Sequence, residues 1–302
     1  MAENPIAENP PEDAPEDPRA PDGAPLEAAL YLVSTPIGNA GDIGARALDI
    51  LARADHVACE DTRVTGPFLK RFGISAHLTA YHDHNAAKRR PEIIEQIQNG
   101  ESVALVSDAG TPLVSDPGYK LVADCVAANL TVTAVPGPSA PLMALILSGL
   151  PTDRFFFQGF LPPKSGARRA ALTEIAQVPA TLVFMESGPR LAASLADMAA
   201  VLGDRPAAVA RELTKKFEEV RRGPLGDLAA HYAEAGPPKG EICVAVGGPP
   251  PAPETTEADL DALLTAALAK GSVKDAAAEV ASVTGLPRKT VYARALELKD
   301  GR

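Results

Sequence analysis

Residues 101–119, ESVALVSDAGTPLVSDPGY, constrain the fold more than any other stretch of the chain. Val103 to Val106 form an apolar run without polar alternation, the pattern of a parallel strand buried on both faces. The run stops at once in SDAGTP and SDPG, two turn-rich segments, and a helix is predicted to start near Tyr119. In an open α/β sheet such a loop, at the carboxyl end of a strand, is where ligands sit, because backbone donors and short polar side chains are free there. Gly110 and Gly118 allow close backbone approach, and Asp108 and Asp116 can accept from hydroxyls or amines. Two ordinary turns would leave the same composition.

The same arrangement recurs along the first half. Residues 29–34 read as a strand that turns out through Thr35-Pro36-Ile37-Gly38-Asn39 into a helix, with Asp42 as its expected cap and Ile43, Ala47, Ile50 and Leu51 on one face. The glycines lack the spacing of a dinucleotide fingerprint. Residues 56–59 form a second strand ending in Glu60-Asp61-Thr62-Arg63, where Arg63 either holds a phosphate or pairs with an acid beside a helix cap. His82 and His84 stand two apart without a third ligand, so His82 and Asn85 read as polar cleft residues and no metal is expected. Residues 91–99 are a helix with Pro91 in its first turn, and residues 131–135 a strand ending in Pro136-Gly137-Pro138-Ser139-Ala140. Three strand-end loops thus converge on one edge.

Residues 150–153 mark a boundary, after which strands are expected near 155–157, 181–185, 207–210 and 242–246. A basic loop with an aromatic, residues 159–169, offers Lys164, Arg168 and Arg169 for phosphates unless they merely solvate the surface. Prolines at 249–253 form a linker. Beyond it, residues 259–302 read as three short helices, with Ser272 as a cap and a Gly285 turn before Arg288, Lys289 and Arg294. Seven bases against eight acids from Glu254 onward disfavour strong DNA binding and leave a docking, RNA-positioning or structural module.

Charge and cysteine content bound the setting. Residues 1–25 hold seven acids against Arg19, a net of −6, so the rest of the chain carries −4 of the total −10. This proline-rich tail has little to bury and is expected to be disordered, and any nucleic-acid contact must use local basic patches. No apolar run reaches the roughly eighteen residues of a membrane span and no export signal opens the chain. Cys59, Cys125 and Cys243 show no paired spacing, which fits a reducing cytoplasm.

SDAGTP followed by SDPG, preceded by LYLVSTPIGN at 30–39 and CEDTR at 59–63, resembles the tetrapyrrole methylase superfamily, and within it the methyltransferases of a ribose 2′-oxygen on a cytidine of small-subunit (16S) ribosomal RNA. The resemblance covers about residues 30–248 and extends into the terminal helices. It implies an α/β fold of two domains, 26–150 and 151–248, with the cofactor cleft between them, a linker at 249–258 and a helix-turn-helix-like module at 259–302. It also implies S-adenosylmethionine as donor, a homodimer, and donor contacts at Pro36, Gly38, Asn39, Asp108, Ala109, Gly110, Thr111, Pro112, Ser139, Ala140, Met185, Glu212 and Leu213. Catalytic candidates are Glu60, Asp61, Arg63 and Glu186; RNA contacts are expected at His82, Asn85, Lys164, Arg168, Arg169, Arg190 and Lys215. The family's Glu-Ser-Pro-His-Arg segment here reads Glu186-Ser187-Gly188-Pro189-Arg190, which removes a histidine. A porphyrin-like acceptor and a non-catalytic nucleic-acid-binding regulator are the competing readings; the basic loop and terminal helices speak against the first, the intact donor motifs against the second.

Overall fold

The computed structural model describes residues 25–250 and 257–299. The acidic tail (residues 1–24) and the linker residues 251–256 lie outside them. The chain divides into two compact units, one ending at Pro249 and one beginning at Pro250.

The first unit contains two five-stranded sheets. In the first, β1 (Leu30–Val33), β2 (His56–Cys59), β3 (Leu78–Ala80), β4 (Val103–Val106) and β5 (Val132–Val135) are all parallel in the order β3-β2-β4-β1-β5. Leu30 pairs with Val103 on one side and Val132 on the other. The missing alternation in β4 has its reason here: Ala104 and Val106 pack with Leu51 and Val57, while Val103 and Leu105 pack with Ile93 and Leu121 on the opposite face. Burial on both faces leaves no position for a polar residue. The connecting helices are α1 (Ala45–Arg53), α2 (Thr62–Arg71), α3 (Ala86–Gln98), α4 (Tyr119–Ala127) and α5 (Ala140–Ser148).

Two local expectations need correction. Asp42 does not cap α1; it lies in a short 3-10 turn, Ala40–Asp42, whose Gly41 amide donates to the Asn39 side chain at 3.0 Å, and Gly44 precedes the helix. Pro91 sits inside α3, which begins five residues earlier at Ala86. The Asn85 side chain organises that entry by accepting from the His82 amide (2.9 Å) and donating to Ala80 O (3.0 Å).

The second sheet runs β6-β7-β10-β8-β9 from β6 (Phe155–Phe160), β7 (Thr181–Ser187), β8 (Pro206–Arg211), β9 (Glu219–Pro224) and β10 (Glu241–Val246). Only β6 and β7 are parallel. The edge strand β9 is an addition to the expected set; its EVRRGP sequence lacks the apolar run that marked the others. Helices α6 (Ser165–Ile175), α7 (Gly188–Leu202) and α8 (Leu225–Ala235) cover one face, where Leu172, Leu191, Leu195 and Met198 meet Phe184 and Val244. The other face carries a smaller apolar seam, in which Ala144 of α5 meets Ala210 and Cys243. Arg222 ties the same helix to β9 by donating to Leu147 O.

The second unit is three helices, α9 (Glu257–Leu268), α10 (Val273–Thr284) and α11 (Arg288–Lys299), around Leu264, Ala277, Val280 and Val291. Ser272 caps α10 through the Asp275 amide (3.2 Å), and Gly285 makes the turn at φ 69°. Arg294 clamps α11 to Asp261 with two bonds of 2.7 Å.

Candidate functional site

The loops after β1, β4 and β5 are stitched together at the carboxyl edge of the first sheet. Thr35 and Gly110 exchange backbone hydrogen bonds (2.9 and 3.0 Å), and the Thr35 hydroxyl donates to Ser107 O. The Thr111 hydroxyl donates to Pro138 O (3.1 Å) and accepts from Ser34 at 3.4 Å. Gly110 adopts φ 84°, and a Cβ there would press Ile37 at 3.3 Å, so this approach depends on glycine. The β2 loop joins through the Asp61 amide, which donates to Asp108 at 3.2 Å.

Two cavities open along this edge toward the second sheet. The larger, about 310 Å³, is lined by Pro36, Gly38, Asp108 and Ala109, with Phe68 and Arg71 of α2 and Lys215 and Glu241 opposite. The smaller, about 80 Å³, is an apolar slot between Ile37, Ala109 and Ala140 on one side and Met185, Ala210, Leu213 and Cys243 on the other. Burial pushes the Cys243 thiol up to about 12, so it lines the slot as a neutral group. Of the residues named as donor contacts, Pro36, Gly38, Asp108, Ala109, Ala140, Met185 and Leu213 line these cavities, while Gly110 and Thr111 shape the loops. Ser139 is buried directly before α5, Pro112 is buried in the β4 loop, and Asn39 caps its turn and donates its amide to Thr214 (3.1 Å). Ile37 belongs to the Pro36–Asn39 loop already singled out, whereas Ala210 and Glu241 were missed; only their neighbours in space mark them.

Lys215 is not a free phosphate clamp. Its ammonium bonds Glu212 (2.9 Å) and Glu241 (2.8 Å), and its stem occupies the space a Gly38 side chain would need. Burial opposes the charge, but the two carboxylates outweigh it and raise the Lys215 pKa. Glu212 (φ 50°) and Thr214 (φ 65°), like Leu113 and Ser115 in the β4 loop, hold left-handed backbone that non-glycine residues seldom adopt.

The catalytic candidates separate sharply. Glu186 lies on the other face of β7 from Met185, buried, accepting from the Ser194 hydroxyl and the Ser187 amide (2.8 Å) and pairing with Arg190 at 3.2 Å. It belongs to the fold and not to the cleft. Arg190 in turn donates to Leu161 O and Pro162 O. Arg168, expected at the RNA, is buried against Asp197 (2.7 Å) and donates to Pro163 O (3.1 Å); Arg169 shares the same carboxylate. These internal pairs leave only residues 161–164 as a short turn between β6 and α6 where a loop over 159–169 was expected, and Lys164 is exposed in it. Gly188, where the family histidine segment departs, is buried, and a Cβ on it would overlap the Pro238 carbonyl. Glu186→Gln is expected to lose about 1–3 kcal/mol of stability by breaking a charge-assisted network, with kcat unchanged below the melting range; a collapse of kcat in the folded variant would return Glu186 to the chemistry.

Asp108 lines the larger cavity, and Asp61 and Glu60 stand beside it. Asp61 caps α2 and binds Arg63 (2.7 Å), which holds its carboxyl at about 2 and makes it a weak base. The pairing alternative for Arg63 is the one observed. Burial raises both Glu60 and Asp108; Asp108 and Asp83 add to it at Glu60, while at Asp108 the bond from the Asp61 amide opposes it and the Asp61 charge adds to it. Asp116 joins them: burial, then the charge of Glu60, pushes its carboxyl up to about 6. The native state binds this proton more tightly than the unfolded chain, so the group's stabilising share is complete at acid pH and is lost as pH rises from about 4 to about 6. Asp116 is partly buried, and screening by the solvent it still meets reduces the nominal cost at neutral pH to about 1 kcal/mol. Asp116→Asn should therefore raise Tm at pH 7.5 by about 2–4 °C and leave it unchanged near the acid end of the window, as thermal scans at both pH values would read.

Residues 29–229 match the family model described as tetrapyrrole (corrin/porphyrin) methylases, and residues 254–299 match the one described as RsmI C-terminal HTH domain. The chain is 56% identical over 277 residues to a protein of Mesorhizobium japonicum named ribosomal RNA small subunit methyltransferase I, covering 91% of this chain and 94% of that one. A protein of the same name from Escherichia coli O157:H7 is 47% identical, covering 90% and 96%. A crystal structure of uroporphyrin-III C-methyltransferase from Thermus thermophilus, complexed with S-adenosyl homocysteine, superposes with a TM-score of 0.50 at 20% identity, over 72% of this chain and 96% of that one. Among the described residues no helix is long and apolar enough to cross a membrane, and no group of three or more His, Cys, Asp or Glu is placed to hold a metal.

Proposed function

We infer the activity from one premise: the chain belongs to the tetrapyrrole methylase family. It is an S-adenosylmethionine-dependent methyltransferase whose acceptor is small-subunit (16S) ribosomal RNA, the activity for which its full-length relatives are named. The finer reading is transfer to the 2′-oxygen of a cytidine ribose. The observation that carries the methyl-donor assignment is the pairing of an apolar slot with a larger polar cavity, both bounded by Ile37, Ala109 and Glu241.

That pair fits an adenosine-bearing donor. The slot, walled by Ala140, Ala210 and Met185, suits a flat heterocycle, and Asp108, Glu241 and Lys215 supply polar partners in the adjoining cavity. The donor brings an electrophilic methyl group. The protein contributes alignment, which can account for on the order of 7–11 kcal/mol of a barrier, and a base worth about 10²- to 10⁴-fold. Glu60 is the base candidate that forms no ion pair among the described residues and carries a raised pKa beside Asp108. We place the lobes at 26–150 and 151–248, with the donor between them. The terminal helices, 259–302, serve the acceptor rather than the donor.

The test is transfer of labelled methyl to small subunits lacking the modification, with naked RNA and a porphyrinogen in parallel. Label mapped to a cytidine 2′-oxygen is expected; label in the porphyrinogen would leave the fold standing and sink the acceptor assignment. A homodimer is expected as well. Leu142 and Ile146 are exposed one turn apart on α5, and Phe155 and Phe156 on the edge strand β6. Light scattering should give twice the chain mass, and Ile146→Glu should lower it.

A further inference from the structure

A third cavity, about 260 Å³, opens on the same edge of the first sheet, on the far side of the β4 loop from the donor cavities. The β4 loop is shared: Ser107, Asp108 and Ala109 face the donor side, while Asp116, Pro117 and Gly118 wall this one. Its remaining lining comes from the end of β3 and the starts of α3 and α4. Tyr81 is buried at its base, Asp83 is exposed beside it, and Tyr119 is 74% exposed at its rim.

Three features make this a built recess. The loop that carries Asp116 is held in an unusual conformation, with Leu113 at φ 71°, Ser115 at φ 67° and Gly118 at φ 135°. Gly118 is packed so closely that a Cβ would meet Leu105 at 3.0 Å and Leu113 at 3.1 Å, which fixes the wall that places Tyr119. The lining also has matched polarity. Arg90 is occupied by Asp124 at 3.2 Å, whereas Lys120, Asp83 and Asp116 form no ion pair among the described residues, and the Ser107 hydroxyl bonds the Asp116 carboxylate.

We propose that this cavity receives the target nucleobase, with Tyr119 stacking on the ring, Asp116 and Asp83 accepting from an exocyclic amino group, and Lys120 meeting the adjoining phosphate. This rests on the RNA methyltransferase reading and adds the subsite that selects the nucleotide. Carboxylates accept and do not donate, so an amino-bearing base such as cytosine satisfies them and uracil, with a carbonyl at the same edge, does not. Proteins read unpaired RNA bases by this combination of an aromatic face and hydrogen bonds to the base edge. The recess has space for one base and lies beside Glu60 and Asp108, whose charges act on Asp116.

The experiment uses the full chain with Tyr119→Ala, Tyr119→Phe and Asp116→Asn. Labelled-methyl kinetics on unmodified small subunits give KM and kcat, and calorimetry gives the affinity for S-adenosylmethionine. Loss of one stacking partner is expected to raise the acceptor KM about 10-fold or more for Tyr119→Ala, with Tyr119→Phe close to the parent and donor affinity unchanged in both. Asp116→Asn, which can donate as well as accept, should narrow the preference for cytidine over uridine on subunits whose target position is changed to U. An unchanged KM in Tyr119→Ala, or a parallel loss of donor binding, would overturn the assignment. Nuclear magnetic resonance titration of cytidine and uridine 5′-monophosphates tests the cavity apart from turnover. Cytidine-selective shifts at the neighbouring Asp83 and Lys120 that vanish in Tyr119→Ala would support it even if ribosomal RNA proved not to be the acceptor, and their absence in the parent would count against it.

Discussion

Asp197→Ala is expected to be the most destabilising single substitution discussed for this chain, costing about 3–5 kcal/mol because it leaves a buried guanidinium without its counter-charge. Asp197 on α7 accepts from Arg168 at 2.7 Å, Arg169 at 2.6 Å and the Ser165 hydroxyl at 3.0 Å, and its side chain and that of Arg168 are 6% and 5% exposed. Burial alone would raise the Asp197 pKa, yet the bonds from Arg169, Ser165 and Arg168 prevail and lower it. A depressed folded pKa means that this contribution is present above the ordinary aspartate value and is lost as pH falls through the folded one. The loss compares with a total stability of about 5–15 kcal/mol for a typical domain. Urea denaturation of Asp197→Ala beside Arg169→Ala provides the contrast: Arg169 is 54% exposed, and its removal should cost no more than about 1 kcal/mol. Equal, small losses in both would mean that Arg168 reaches solvent and that the turn at 161–164 is not clamped from below.

That pair also marks the limit of what the sequence made legible. Loops at the ends of β1, β4 and β5 were readable because each combines a short apolar run with glycine, proline and small polar residues, and those are properties of a single segment. Glu186, Arg168 and Arg190 were misplaced for the opposite reason. A charged residue in a motif carries no mark of which face of its strand or helix it occupies, and in β7 one step separates Met185 at the slot from Glu186 beneath α7. Charge pairing across the fold decided their roles: Glu186 with Arg190, Asp197 with Arg168, Lys215 with Glu212 and Glu241. Asp197–Arg168 and Lys215–Glu241 join residues 29 and 26 positions apart, which local pattern does not report; Glu186–Arg190 and Lys215–Glu212 are near in sequence, but nothing in the segment shows that the pair turns inward. The edge strand β9 escaped notice because it is polar on its exposed side, and β3 because three residues, Leu78 to Ala80, carry too little pattern. Asp116 was recognised as an acceptor, but its raised pKa arises first from burial, in a loop whose backbone conformation no sequence pattern announced, and then from Glu60.

Ala140→Leu is expected to weaken S-adenosylmethionine binding by about 10- to 100-fold, the cost of overfilling a packed site by about 1–3 kcal/mol. Ala140 is the first residue of α5, and its methyl group forms one wall of the slot of about 80 Å³ opposite Met185 and Ala210. Leucine adds three carbons into that space without altering the backbone, and it forms helices well at this position. Folding should therefore be nearly untouched while the donor is excluded. Ala144→Leu supplies the opposing case. Ala144 lies one turn further along α5, 1% exposed in the seam with Ala210 and Cys243, so the added carbons have nowhere to go and stability should fall. Calorimetry with the donor and thermal melts on the two variants separate the effects, because a slot that seats the heterocycle predicts lost affinity with preserved Tm for the first alone. Full affinity in Ala140→Leu would move the donor entirely into the larger cavity beside Asp108, and Met185 and Leu213 would then be packing residues of the seam.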